Sequence, residues 1–496
     1  MDFGFCGPSY TSQSPIIDDE LAMNCYCEIS ESPGAATKMA LLHTPGRKKH
    51  ALLPESSVPS LFTVNKRTFA AASNLYEIDG SGVVTVRGSL GAAPTAPTQI
   101  TANETQLVVL NNGNLFVLTL ATNAFVAVNM AQFNGPVAQI DFCDGYILAM
   151  LLDSHTFQVS ALEDATTWSG LDISTNSLFP DNYVSMKVEH RYCWFFSNKK
   201  ALAYYNAGAG FPPFIPVQGE MLEDGAGAAF ATVLLDNTLF WLDQDERGFM
   251  VAKRLGQGRV STHATELAWQ EYAKQWKVSD AVGWTYQENG HSFWVIYFPS
   301  VNNGAGATWC YDVGESASAG YPLWHQRGYY IQASGQYIAD RAMSHTLNFG
   351  LHLVGDWASG TIYRLSSDIY DDDGAAIRGN RRTPTTSKEN EYIYFGQIEF
   401  VMETGLQPIL AGVPIQLFDG NGQPRPAQLM LRWSNNGGKT WSNWYFLSLG
   451  FPGDYELRVI KRMLGRARKR IWDVAWTDPI AMRFNNAFLK AEGEDA

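Results

Sequence analysis

Short strand-like runs separated by turns recur along most of the chain, and this recurrence constrains the fold most. Most runs pair two strands across a turn rich in Gly, Asn, Asp or Ser. Successive blocks begin 37 to 58 residues apart, and a period of about 40–45 residues with several strands per unit is typical of β-propeller blades. The sequence predicts an all-β chain with a propeller of about six to seven blades; two β-sandwiches are the alternative. The blocks begin near Tyr76, Leu115, Phe157, Trp194, Leu239, Phe293 and Leu351.

One segment, beginning at Ser261, has a helical pattern instead. Ser261 or Thr262 can serve as its N-cap, and we expect the helix to be an insertion between blades. Its apolar residues fall on one face, at i, i+3, i+4 and i+8: Ala264, Leu267, Ala268 and Tyr272.

Several stretches rich in Gly, Ala, Ser and Pro interrupt the strand pattern. The two widest block spacings leave room for loop insertions at 302–307 and 314–322. The stretches 88–99 and 206–229 predict flexible connections, because their composition disfavours helices and strands.

The character of the sequence changes after Ile377. A polar, basic connector is followed, from about Tyr392, by a new alternating strand pattern. We place a domain boundary near residue 388. Residues 1–387 then form the propeller body with an N-terminal segment and loop insertions, and 388–496 form a smaller domain like a β-sandwich.

The chain is acidic, with 49 Asp+Glu against 36 Lys+Arg and a net charge of −13. Broad adhesion to nucleic acid relies on cations that neutralise phosphates, so this balance predicts weak contact with DNA. No apolar run approaches the ~18 residues of a membrane helix, and no secretory signal is visible. The six cysteines lack the paired C-x₂-C spacing of zinc sites. We expect no cofactor and no bound metal.

A hairpin motif lies at 434–441, where "SNNGGKTW" matches the S-x-[DN]-x-G-x-T-W pattern of the Asp-box. In sialidases and other glycosidases this motif is structural. An Asx side chain can bond the backbone of its own turn, a glycine can take φ > 0, and the tryptophan can cover the turn. The sequence predicts a structural hairpin, not an active site. Its residues are Ser434, Asn436, Gly438, Thr440 and Trp441.

Two charged segments are candidates for function. The window 461–470 holds six cations in ten residues, and on an acidic chain it suggests a docking surface for an acidic partner; a solvated strand pair is the alternative. The acidic run 371–373 lacks the spacing of a calcium loop, so we expect a solvated turn that pairs with Arg378, Arg381 and Arg382. The residues assigned to the docking patch are Arg462, Arg466, Arg468 and Arg470.

No motif points to catalysis. The nine histidines form no H-E-x-x-H, and no G-x-S-x-G elbow or cysteine-protease signature is present. The Gly438-Lys439-Thr440 triplet imitates the end of a P-loop, but its first glycine would fall at Trp433 and no helical pattern follows. We therefore expect a protein that is not an enzyme.

Several blocks, in order, resemble one phage family. They include "GRVSTHATELAWQEY" at 258–272, "TYQENGHSFWVIYFP" at 285–299, "LRWSNNGGKTWSN", and "RVIKRMLGRARKRIWDVAWTDP". The ordered set is similar to the packaged-DNA stabilisation proteins, also called tail hubs or nozzles, of short-tailed bacteriophages. The resemblance covers about 239–489, while the N-terminal half matches in order and in the "TPGRKK" turn at 44–49.

The resemblance implies a structural virion protein of the tail, assembled in the host cytoplasm. Copies would form a ring, most simply a hexamer, below the portal and its head-to-tail adaptor. The lumen would extend the DNA channel and help retain packaged DNA until ejection, and the lower end would meet a tail needle, plug or fibres. A propeller glycosidase and a carbohydrate-binding tail protein are the alternatives. A glycosidase would require paired carboxylates in a pocket.

Overall fold

In the computed structural model, which describes residues 3–14, 17–35, 37–208, 210–389 and 391–493, five consecutive segments each form a four-stranded antiparallel sheet. Blade 1 comprises Ser60–Val64, Arg67–Ala71, Asn74–Ile78 and Val84–Ser89, and blade 2 comprises Gln99–Ala102, Gln106–Asn111, Asn114–Thr119 and Phe125–Ala127. Blade 3 comprises Val137–Cys143, Tyr146–Leu151, Thr156–Ala161 and Asp164–Thr175. Blade 4 comprises Tyr183–Glu189, Tyr192–Ser197, Ala201–Asn206 and Phe214–Leu222, and blade 5 comprises Val233–Leu235, Thr238–Gln244, Met250–Arg254 and Gly258–Arg259.

Two further sheets complete a ring of seven blades. Blade 6 comprises Val282–Glu288, His291–Phe298, Ala307–Asp312 and Leu323–Ile331. Blade 7 comprises Ala342–Asn348, Leu351–Asp356 and Thr361–Ser366, and its outer strand, Gly46–Leu52, comes from before blade 1 in the chain. The first strands of successive blades are spatial neighbours, and that of blade 7 adjoins that of blade 1. Each of the seven predicted blocks lies in a different blade, so the propeller prediction is confirmed.

Side chains bridge one blade to the next. Gln139 of blade 3 accepts a hydrogen bond from the Met186 amide of blade 4 at 2.6 Å. Between the same blades, the rings of Phe157 and Phe195 stack with centroids 4.4 Å apart. Apolar residues buried between the sheets therefore form the propeller core, and hydrogen bonds at the sheet edges fix the angle between blades.

The first hairpin of every blade turns through a residue in the left-handed region. The φ angles of these seven residues lie between 48° and 56°. Tight hairpins need positive φ at the turn because that twist matches the twist of the strands, and Asn and Asp tolerate it best. The residues are Asn65, Asn112, Asp144, His190, Asp236, Asn289 and Phe349.

The described residues of the stretch 206–229, which was expected to be flexible, include a strand and are partly buried. The stretch contains the outer strand of blade 4, and it continues into a Gly- and Ala-rich segment whose Ala226, Ala228 and Ala231 are fully buried. A Cβ on Gly225 would lie 2.3 Å from the carbonyl carbon of Asn198, so a glycine is required there. The expectation is wrong because small residues here permit close packing rather than mobility.

That segment also ties blades together. The Ala229 carbonyl accepts hydrogen bonds from the Gln139 side chain of blade 3 at 2.5 Å and from the Ser185 hydroxyl of blade 4 at 3.1 Å. Ala229 itself lies just before blade 5. The connection between blades 4 and 5 therefore passes across the inner strands of blades 3 and 4.

Two α-helices lie beside blade 6. Helix α1, His263–Gln275, is capped by Thr262, and it buries Ala264, Thr265 and Trp269 while Leu267, Ala268 and Tyr272 are half-buried. Helix α2, Val313–Ala319, forms where the sequence predicted a loop, and the Asp312 carboxylate caps it by accepting from the Glu315 amide at 3.2 Å. Short 3₁₀ turns occur at Met130–Gln132 and Val301–Gly304. Neither α-helix has the length and apolarity to traverse a bilayer, and the described residues hold no other candidate.

A β-sandwich packs against blade 6. Its first sheet contains Tyr10–Thr11, Asp19–Met23, Gly379–Arg382, Thr386–Ser387, Lys469–Trp476, Gln428–Ser434 and Tyr445–Ser448. The second contains Cys25–Ile29, Met39–His43, Arg483–Gly493, Ile393–Met402, Val459–Arg462 and Arg466–Ala467. Two small hairpins, Ile409–Leu410 with Val413–Pro414 and Leu417–Phe418 with Pro424–Arg425, project from it. A parallel pairing of Met23 with Gln326 makes the first sheet continuous with blade 6.

The sandwich draws strands from both sides of the boundary predicted near residue 388. Residues 19–43 and 379–387 contribute strands to the same two sheets as the C-terminal residues. The buried ring of Phe5 completes the core, with its centroid 5.4 Å from Phe400 and 5.2 Å from Phe484. Arg381, fully buried and ion-paired with Glu20, donates to the carbonyls of the N-terminal segment.

Candidate functional site

The Asp-box forms a closed turn in which the polar groups bond to one another. The Ser434 hydroxyl accepts from the Gly438 backbone amide at 3.0 Å, and the Asn436 side-chain oxygen Oδ1 accepts from the Thr440 backbone amide at 2.9 Å. The Asn436 side-chain amide donates to the Thr440 hydroxyl at 2.7 Å, and Gly438 has a φ of +80°. The hydrogen-bonding groups of the motif bond to one another within the turn, so the motif has a structural role.

Trp441 of this motif is half-buried and lies within a ladder of arginines and aromatic rings. The Arg432 guanidinium lies between Trp441 and Trp444, at 4.6 Å and 4.3 Å from their centroids. Arg432 also pairs with the buried Asp473 at 2.6 Å. Beyond these rings, Arg382 lies over Trp441 and Arg378 over Trp444. Such stacking is favourable because each cation faces the electron-rich face of a ring.

The ladder reaches from the sandwich to the propeller. Arg378 lies 5.1 Å from the ring centroid of Tyr330, which belongs to the outer strand of blade 6. Sequence reasoning missed this arrangement, although the "TWSNW" segment and the arginines at 378 and 382 were visible. Arg378 and Arg382 are an even number of residues apart, so both lie on one face. Trp444, however, directly precedes the strand Tyr445–Ser448, and no local pattern links that distant segment to the two arginines.

Three of the four predicted docking arginines are exposed. Arg462 ends the edge strand Val459–Arg462, Arg466 begins the short strand Arg466–Ala467, and Arg468 directly follows it. The guanidinium groups of Arg466 and Arg468 lie 5.0 Å and 4.9 Å from the ring centroid of Tyr392, which was not predicted as a site residue. We call Lys461, Arg462, Arg466, Arg468 and Tyr392 the basic patch.

Arg470 does not belong to this patch, so its assignment to the docking surface is wrong. It is 1% exposed and donates to the Asn435 side chain at 2.8 Å and to the Leu464 carbonyl at 2.7 Å. The rings of Phe395, Trp433 and Trp472 surround its guanidinium, and burial lowers its pKa to about 10. The break between the strands Arg466–Ala467 and Lys469–Trp476 turns this side chain inward, where it links the Asp-box to the basic turn.

The acidic run 371–373 pairs with different cations from those expected. Asp372 pairs with the buried Arg47 at 2.8 Å, and Asp371 accepts from the Ala411 amide at 2.7 Å. Arg381 and Arg382 pair instead with Glu20 and Asp19. The run is therefore built into the edge of blade 7 rather than solvated. Within the described ranges, no group of three or more His, Cys, Asp or Glu side chains is placed to hold a metal ion.

Charge is divided unevenly between the two parts of the chain. Residues 1–387 hold 37 Asp+Glu against 23 Lys+Arg, whereas residues 388–496 hold twelve against thirteen. The acidity of the protein therefore resides in the propeller part, and the basic patch lies on a nearly neutral sandwich. Such a surface can pair with carboxylates of a partner.

Comparison with protein families covers both parts of the fold. Residues 10–370 match the family model described as the β-propeller of bacteriophage P22 Gp10. Residues 380–492 match the one described as its β-sandwich. The chain belongs to the bacteriophage P22 Gp10 family. The predicted resemblance to packaged-DNA stabilisation proteins is thus confirmed, and the P22 Gp10 family consists of phage structural proteins.

Other comparisons are more distant. Curated proteins contain no significant match to this Gp10-family chain. Among solved structures, BamB from Moraxella catarrhalis is 11% identical, with a TM-score of 0.34 over 66% of this chain and 97% of that one. The extracellular domain of the hybrid two-component system BT4673 from B. thetaiotaomicron is 9% identical, with a TM-score of 0.41 over 81% of this chain and 47% of that one.

Proposed function

We propose that this protein is a tail hub, or nozzle, of a short-tailed phage. Copies form a hexameric ring below the portal and head-to-tail adaptor, the lumen extends the DNA channel, and the lower end meets a needle, plug or fibres. The ring helps to retain packaged DNA until ejection and carries out no catalysis. The observation that carries this proposal is the match of both the propeller and the sandwich to the P22 Gp10 family.

The segment that crosses the inner strands supports a channel between copies rather than through a propeller. The connection between blades 4 and 5 crosses the inner strands, and its Ala229 carbonyl is bonded to blades 3 and 4. The channel of the proposed ring is therefore bounded by the outer surfaces of several copies, as cyclic symmetry allows.

The basic patch is the part of the surface that we assign to docking with the adaptor or a neighbouring copy. Arginine suits this role because its planar fork pairs with carboxylates and keeps its charge. The glycosidase alternative gains no support from the Asp-box, since the polar groups of that motif bond within their own turn.

Tail attachment tests the proposal. In the triple variant R462E/R466E/R468E, we expect tail attachment to be lost while the circular dichroism spectrum is unchanged, because the substituted side chains are exposed. The control is R191E/R247E, which reverses two exposed arginines of blades 4 and 5. Purified protein should also form rings when mixed with adaptor–portal complexes. Free monomer in light scattering, or normal virions from the triple variant, would contradict the proposal.

A further inference from the structure

The strand Tyr445–Ser448 forms an edge of its sheet, and of the usual protections it has shortness, with four residues, but no charged residue or proline. Within the described residues it pairs on one side, with Gln428–Ser434, and it is last in the strand order. Natural proteins protect such edges with charged residues, proline or bulges, because the unpaired backbone groups accept another strand. Here the edge carries Tyr445, 37% exposed, and Phe446, 60% exposed. Two exposed aromatic rings on an open edge indicate a surface that a partner covers.

The two faces of this edge differ in chemistry. On one face the Tyr445 ring stacks on Trp433, with centroids 5.0 Å apart, and the Lys461 ammonium lies 4.2 Å from the Tyr445 centroid. Adjacent residues of a strand point to opposite faces, so Phe446 lies on the other face, opposite Met430 in the register. A strand added here would meet a cation and an aromatic ring on one face and apolar side chains on the other.

One cation, Lys461, lies beside the edge on the Tyr445 face. Arg458 forms a bidentate pair with Glu399, at 2.8 Å and 2.7 Å. By contrast, no described carboxylate pairs with Lys461 or Arg468, whereas the charge of Arg462 helps to lower the pKa of Glu399. Arg462 bonds the neutral Gln397 amide at 3.3 Å, and Arg468 lies over Tyr392. Charge complementarity therefore favours an acidic occupant.

We propose that Tyr445–Ser448 receives an extended segment of a partner protein as an added β-strand, in which acidic residues alternate with apolar ones. The acidic side chains face Lys461, and the apolar side chains face Phe446 and Met430. Backbone hydrogen bonds supply affinity, and alternate side chains supply specificity. This inference rests on the proposed docking role of the basic patch, and it adds the mode of recognition and the chemistry of the partner.

Peptide binding to the full-length protein tests the added strand. The probe is a fluorescein-labelled peptide of alternating glutamate and valine, measured by fluorescence anisotropy. We expect saturable binding, and about tenfold weaker binding when alternate peptide nitrogens are methylated, because methylation removes the donors for strand pairing. A lysine–valine peptide should also bind about tenfold more weakly, through repulsion from the basic patch.

Two matched variants locate the site. Phe446→Asp should weaken binding of the glutamate–valine peptide by about tenfold, whereas Phe418→Asp, at a 56% exposed ring on a neighbouring hairpin, should leave binding unchanged. Equal binding of the methylated peptide, equal effects of the two variants, or no binding by the wild type would overturn the added strand. Self-association that Phe446→Asp abolishes would show a second copy as the occupant and would also overturn it.

The outcomes separate this inference from the proposed function. Loss of tail attachment in R462E/R466E/R468E, with no peptide binding by the wild type, would overturn the added strand and leave the hub role standing. Strand-dependent peptide binding, together with normal tail attachment of the same variant, would overturn the docking role of the basic patch.

Discussion

Arg468 and Arg470 are two residues apart, and their environments are opposite. Arg468 lies at the surface over Tyr392, whereas Arg470 is enclosed by three aromatic rings and bonded to Asn435 and Leu464. Composition identified the cationic window correctly, but it could not separate the inward arginine from the outward ones. The difference arises from an irregularity between the short strand Arg466–Ala467 and the strand that begins at Lys469, which only the register reveals.

We expect Arg470→Met to lower the free energy of unfolding by about 3 kcal/mol, because the buried Leu464 carbonyl loses its donor and the packing against three rings changes. The control is Arg468→Met, for which we expect a change within about 0.5 kcal/mol. Urea denaturation of both variants provides the measurement. Equal stability of the two variants would contradict the structural role of Arg470.

The Asp-box should tolerate a change that keeps its acceptor. We expect Asn436→Asp to change the free energy of unfolding by less than about 0.5 kcal/mol, because a carboxylate still accepts from the Thr440 amide and the Thr440 hydroxyl can turn to donate to it. Trp441→Ala should cost about 1 kcal/mol, since this half-buried ring chiefly stacks on arginines. A loss approaching the 3–5 kcal/mol typical of a buried ring, measured by urea denaturation, would contradict this assignment.

Two histidines at the seam between blades 6 and 7 make stability depend on pH. His345 Nε2 lies 3.1 Å from His352 Nδ1, and Trp284 and Tyr286 pack against the pair, with Glu288 nearby. Burial, followed by the His352 charge, lowers the pKa of His345 to about 3. Burial also lowers the pKa of His352. Both rings are therefore neutral in the folded protein at neutral pH.

A histidine whose pKa is lowered by folding favours the unfolded state as the pH falls. Its contribution is complete above the unfolded pKa of about 6.5 and declines towards pH 3. We expect wild type to lose more stability between pH 7 and pH 4 than His345→Gln does, as measured by urea midpoints. Carboxyl groups with raised pKa values, such as Asp18 and Asp243, both at about 6, are present in both proteins, so their effect on the pH dependence of stability cancels in the comparison. His263→Gln, at an exposed position on α1, should follow wild type.

At the scale of elements, sequence periodicity located the blades well because each blade is a local unit. Every predicted block lies in a separate blade, and the turn at the first hairpin of a blade provides a sharper marker than the blocks did. Asn-Gly or Asp-Gly pairs form three of these turns, at 112–113, 144–145 and 289–290. Helix α2 was missed because its seven residues are mostly small and polar, and its cap, Asp312, ends a strand.

The strands of the sandwich could not be predicted in the same way. Asp19–Met23 pairs with Gly379–Arg382, which lie more than 350 residues later in the chain. No local pattern encodes such a partner, and Arg381, which holds the N-terminal segment, seemed to belong to a solvated connector. Pairings between distant segments are set by the packing of the whole molecule rather than by periodicity.

The N-terminal segment should therefore matter to the sandwich as much as its own strands. We expect Phe5→Ala to lower the free energy of unfolding by about 3–5 kcal/mol, because a fully buried ring leaves a cavity beside Phe400 and Phe484. Phe349→Ala, at a 43% exposed hairpin tip, is the control and should cost far less. Similar values from urea denaturation would show that Phe5 does not support the core.

At the scale of the whole molecule, several contacts hold the propeller and the sandwich in one arrangement. The first sandwich sheet is continuous with blade 6, and the ladder of arginines and rings crosses to Tyr330. The hairpin at 409–414 also contacts blade 7, where Ala411 bonds Asp371 and Lys48. A body tied at three places is suited to a rigid structural role.

The acidic propeller part predicts how the protein meets DNA. We expect weak duplex binding that varies little with base sequence, because a surface rich in carboxylates releases few counterions from phosphates. Fluorescence anisotropy at about 0.15 M salt measures this, and R462E/R466E/R468E shows whether the residual binding comes from the basic patch. Sub-micromolar affinity of the wild type for duplex DNA would contradict the predicted weak contact with DNA.

The closing strand of blade 7 also dictates when the protein can finish folding on the ribosome. Gly46–Leu52 is synthesised before all other blade strands, yet its partner Thr361–Ser366 emerges more than 300 residues later. Asp19–Met23 likewise waits for Gly379–Arg382. A prematurely terminated chain therefore has neither a closed ring nor a complete sandwich. Only chains translated past both late partners can present the finished surface.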